Sequence, residues 1–339
     1  DLCYSANVGR AEAEYRLALV ADTSVQLCEQ LSAYAAHATG AEIRSVKCNG
    51  RHRPNVAFQF SSEHPDLAVV AMLYRTAPVF RQIFNQCNRV WQCHLHRSLS
   101  DGLHDPSLAN EDADAEYLWC AYQIAMAHLW SAWGVKPTAL LADGKALLAA
   151  ACFAGVLDKA SVGKVLDARR HLRSVAGAMM TCKPRYPIFS GASCALMSAW
   201  VADARYWDAF ARQAEPASPA PAQTVEGRDL WCLQFTGDCV ALTAPGRSER
   251  IASAPIWESL TNALCRLYMA DAPIDWQGFD REYARRRIAL PTYPFERKAH
   301  WFNEPGIAAD AALSNQLSHQ LATALQSSAA LVHAARKLA

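Results

Sequence analysis

No stretch of this sequence approaches the roughly 18 consecutive apolar residues of a membrane-spanning helix, so no membrane role is expected. An excess of one charge is missing as well. Thirty-three Lys and Arg face 32 Asp and Glu, for a net charge of +1. Without a basic stripe, neither nucleic acid nor an anionic membrane surface is an expected partner. The twelve cysteines contain no Cys-x-x-Cys pair, which removes the common zinc and dithiol motifs. Scattered through apolar patterns, they read as reduced and mostly buried thiols of a cytoplasmic protein. No basic-then-apolar leader opens the chain, and its start at Asp1 reads as a piece of something longer.

What is present is ordinary globular material, 339 residues with 52% hydrophobic and 19% charged, enough for one sizeable core. Apolar recurrence at Val25, Cys28 and Leu31 predicts a helix over Ser24–Ala36, with Thr23 or Ser24 as its cap. Val56–Phe60 alternates like a strand entering a core, and 40–53 reads as a loop or an edge strand. Helix is predicted over Asp66–Val90, punctuated by Pro78, and over Glu116–Trp133, ended by Gly134. Thr138–Leu141 follows as a buried strand, then a helix over Lys145–Leu157 and another over Ser161–Ala176. A strand, a tight turn and a helix are the unit on which hydrolase-like α/β folds mount a nucleophile. Pro187–Gly191 reads as a short strand, 216–224 as a Pro/Ala connector, Trp257–Met269 as an amphipathic helix, and 303 onward as a helical tail.

Three stretches resemble the acyltransferase region of modular polyketide synthases. Residues 1–10 with Tyr15-Arg16-Leu17-Ala18 are similar to the linker domain between a ketosynthase and its acyltransferase. Leu73-Tyr74-Arg75-Thr76-Ala77-Pro78-Val79-Phe80 is similar to the helix after the family's first glycine-rich loop. Leu290-Pro291-Thr292-Tyr293-Pro294-Phe295-Glu296-Arg297, with Trp301, resembles the post-acyltransferase linker. The resemblance implies an α/β fold, a truncated acyltransferase with a hydrolase-like parallel-sheet core plus a small α/β linker domain. It implies a linker domain over 1–54, an acyltransferase core over 55–245, a post-acyltransferase linker over 246–304 and a helical tail over 305–339. The core is expected to carry Leu140 in a central strand, with helices on both faces of the sheet.

The same resemblance implies a degenerate site. Counted without gaps, the family's Gly-His-Ser-Leu-Gly turn falls on Ala142-Asp143-Gly144-Lys145-Ala146, so the nucleophilic serine is replaced by Gly144. An acyl-enzyme needs a side-chain oxygen activated by a base, and glycine has none. The family's catalytic His follows an inserted ferredoxin-like subdomain. Here the chain runs from His171 through Met180 directly to Lys183-Pro184-Arg185-Tyr186-Pro187, so subdomain and base are expected to be absent together. The family's Gly-Gln-Gly oxyanion loop becomes Ser62-Glu63-His64, where a carboxylate would oppose a developing oxyanion. Arg169 stands where the family holds a malonyl carboxylate; inheritance without function explains it equally.

Other chemistries weigh less. Cys93-His94-Leu95-His96 offers two imidazoles but no third ligand at a recognised spacing, so neither metal nor cofactor is expected. Cys152 has no implied His beside it and reads as core. Asp143 is expected to cap the following helix. The trend is toward a non-catalytic element that docks through Tyr293, Phe295 and Trp301. Its partners would be the ketosynthase and acyl carrier protein domains of the same synthase, or a separate acyltransferase acting in trans. The alternative is an enzyme repurposed as a decarboxylase or hydrolase of a carrier-tethered acyl chain, using Arg169, His171 or Asp143.

Overall fold

The computed structural model describes residues 1–11, 13–36, 44–48, 53–95, 97–103, 112–175, 177, 179–212, 230–236, 240–244 and 255–291. The aromatic strap Tyr293, Phe295 and Trp301, the 216–224 connector and the tail lie outside these residues. Asp1–Leu290 forms one compact unit.

Strand β3 (Asn55–Phe60) is the centre of a five-stranded sheet ordered β5-β4-β3-β6-β7. It runs parallel to β4 (Ala139–Ala142) and β6 (Leu230–Phe235), and β4 runs parallel to β5 (Ile188–Phe189). Only β7 (Val240–Thr243) is antiparallel. Because side chains alternate across a strand, register assigns Val56, Phe58, Phe60, Leu140, Ala142, Ile188, Leu233 and Phe235 to one face, and all of them enter the main core. That core also takes residues of α3 (Leu67–Thr76), α4 (Pro78–Trp91), α6 (Asp112–Ala132), α7 (Ala146–Phe153), α8 (Lys159–Arg170), α10 (Ala204–Ala211) and α11 (Ile256–Met269). The opposite face holds a small cluster, Ala57, Ala139 and Phe189, flanked by half-buried Leu141, Leu196 and Leu230. Among the described residues no helix contributes to this second cluster, and small side chains there leave little apolar area to bury.

Local chemistry explains the breaks. Pro78 starts α4, and Ala77 before it is extended at φ −112° and ψ 98°, as the proline ring requires. Every residue from 117 to 127 of α6 is buried, Gln123 included. The helix ends at Ala132 and the chain turns away at Gly134, φ +87°, where an added Cβ would lie 2.5 Å from Asp275 N. Glycine alone fits both the conformation and that close approach. Helix α8 is shorter than the periodicity predicts. It stops at Arg170, and Leu172 turns the chain at φ +52°, with Arg173 N bonded back to Ala168 O. From there to Pro187 the described residues contain neither helix nor strand, in agreement with loss of the ferredoxin-like lobe.

The leading segment forms α1 (Leu2–Gly9), β1 (Tyr15–Ala18), α2 (Ser24–Ala35) and β2 (Arg44–Lys47), with β1 and β2 antiparallel. Thr23 caps α2 by accepting from Gln26 N. Arg16 fastens this hairpin to α11. It is 7% exposed, donates to Tyr268 O at 2.8 Å and Asp271 Oδ1 at 2.5 Å, and stacks on the Tyr268 ring.

Candidate functional site

The carboxyl ends of parallel strands are where open α/β sheets bind ligands. Here three such ends converge: Ser61–Glu63 after β3, Asp143–Lys145 after β4, and Ser190–Gly191 after β5. The turn leaving β4 keeps the shape of a nucleophile elbow. Gly144 sits at its tip with φ +51°. Ala146 N donates to Asp143 O at 3.0 Å and Leu147 N to Gly144 O at 3.2 Å, which starts α7. Gly144 is exposed, and a Cβ added there would meet nothing within 4 Å. The position thus has room for a side chain, in the left-handed backbone region that strains any residue but glycine.

The two side chains beside it turn away from the tip. Asp143 does not cap α7, which begins without a side-chain cap. Its Oδ1 instead accepts from Ser190 Oγ at 2.6 Å, and Ser190 Oγ accepts from Ser193 N at 3.2 Å. Gly191 makes the room, because a Cβ there would fall 2.7 Å from Asp143 Oδ2. Lys145 Nζ forms an ion pair with Glu116 of α6.

The loop after β3 is held from α6. Gln123 Nε2 donates to Ser61 O, and Trp119 Nε1 donates to Glu63 O at 2.8 Å. Glu63 N donates to Ser61 Oγ, leaving the Glu63 residue exposed. Among the described residues, Gln123 Oε1 is buried without a partner.

Arg169, expected from the resemblance at the place of a carboxylate ligand, reaches α10. Its Nη1 donates to Phe210 O at 3.0 Å and its guanidinium lies over the Phe210 ring. His171 Nδ1 sits 2.9 Å from Asp167 O. Among the described residues, no histidine is hydrogen-bonded to the 142–146 turn. His128 lies edge-on to Phe153, and burial, with Lys159 and Arg185 nearby, lowers its pKa from 6.5 to about 4. Burial pushes the Cys152 thiol up to about 12, and raises Cys87 and Cys120 as well. Such thiols pack and do not react. The Cys93-His94 pair sits on the turn after α4, and no three potential metal ligands cluster among the described residues.

Sequence reasoning missed Ser190, Gly191 and Gln123. Only Gln123 carried a signal, as a polar residue inside the apolar run Tyr117–Met126.

The parallel sheet and the elbow after β4 give this chain an acyltransferase-like α/β fold. Known proteins agree. A family model described as CurL-like, PKS C-terminal matches residues 1–31. The spectinabilin polyketide synthase system protein NorC of Streptomyces orinoci is 25% identical over 320 residues, 89% of this chain and 14% of its own length. Polyketide synthase GfsA of Streptomyces halstedii is 29% identical over 52% of this chain and 2% of its own length. The chain thus spans a small part of these relatives. Among solved structures, the acyltransferase domain of ZmaA superposes with a TM-score of 0.65 at 14% identity, covering 85% of this chain and 90% of that domain. The acyltransferase domain from the second salinomycin synthase module gives 0.61 at 16% identity, over 83% and 89%. At these identities the likeness is one of fold.

Proposed function

We propose that this chain is a pseudo-acyltransferase, a non-catalytic structural and docking element of a polyketide synthase subunit. The observation that carries the reading is Gly144. The turn keeps its left-handed φ of +51° and its open space, yet the atom that would attack an acyl group is missing. Supporting it, the 171–187 segment crosses the site of the family's base-bearing lobe without a helix or strand among its described residues. The three groups that a repurposed enzyme would use are each bonded within the fold: Asp143 to Ser190, Arg169 to Phe210 and His171 to Asp167.

In this reading the linker domain 1–54 and the post-acyltransferase linker 246–304 keep the synthase's spacing, with the core 55–245 between them and the tail 305–339 leading onward. Partners are the neighbouring ketosynthase and acyl carrier protein domains, or an acyltransferase acting in trans, contacted in part through Tyr293, Phe295 and Trp301. No cofactor is required. Among the described residues no helix is long and apolar enough to cross a membrane.

Incubation with malonyl- or acetyl-coenzyme A, followed by intact-mass measurement, tests the reading. The expected mass is unchanged, and a stoichiometric acyl adduct overturns it.

A further inference from the structure

We draw no further inference here: the strongest candidate, the surface of helix α2 on which Val25, Leu31 and Tyr34 stand exposed, carries none, because nothing in the structure shows what covers it.

Discussion

Ser190 Oγ donates to Asp143 Oδ1 across 2.6 Å, tying the edge strand β5 to the turn that in active relatives by resemblance would carry the nucleophile. The bond exists because Gly191 leaves the carboxylate room. Residues 143, 190 and 191 should therefore behave as one unit in mutagenesis. Gly191→Ala alone should destabilise by about 1–3 kcal/mol through overpacking, and Asp143→Ala by about 1–2 kcal/mol through the lost hydrogen bond. In the double variant the new methyl no longer meets a carboxylate, so the loss should fall short of the sum. Urea titration of the four proteins measures this, and strict additivity would refute the coupling.

Gly144→Ser should gain no acyl adduct, because an oxygen without a base is not a nucleophile. The space is open, so the cost should come from backbone strain alone, on the order of 1–2 kcal/mol. Intact mass after incubation with malonyl-coenzyme A, together with a denaturation curve, checks both halves.

His128 sets a pH dependence. Its folded pKa of about 4 lies below the ordinary 6.5, so below pH 6.5 the unfolded chain binds a proton that the native one does not. Its contribution is full above the unfolded value, and stability is lost as pH falls from 6.5 toward 4. The whole difference is of order 3 kcal/mol. His128→Gln should flatten the fall in unfolding free energy over that window. An unchanged pH profile would show that His128 is not its source.

Native alkylation should divide the thiols by burial. Exposed Cys3, Cys28, Cys93 and Cys182 should react with iodoacetamide at pH 8, whereas buried Cys48, Cys87 and Cys120 should react only after unfolding. Peptide mapping before and after denaturation reads this out. Early labelling of Cys87 or Cys120 would contradict their burial.

The sheet-and-helix plan was legible where periodicity was strong. Asn55–Phe60, Ala139–Ala142 and Ile256–Met269 form where the apolar pattern predicts. Strands β6 and β7 were not anticipated, because Leu-Trp-Cys-Leu-Gln-Phe gains its strand identity from pairing with β3, a partner remote in sequence. Gly144 could be placed by counting along a resemblance. The direction of the Asp143 carboxylate could not, since it depends on Gly191 in another strand. The stop of α8 at Arg170 was equally hidden, because the left-handed turn falls on Leu172, a residue type with no preference for it.

Placing β3 at the middle of the sheet has a consequence for synthesis on the ribosome. One edge of β3 pairs with β4, but the other waits for β6, in the register Asn55↔Leu230. At about 5–20 residues per second, that edge stays open for roughly 10–35 s. Its unpaired N–H and C=O groups are exposed for that time, so the nascent domain offers a template for intermolecular strand addition. Where several ribosomes follow one another along a message, the hazard falls on neighbouring copies, and slowing elongation between codons 60 and 230 should raise the insoluble fraction.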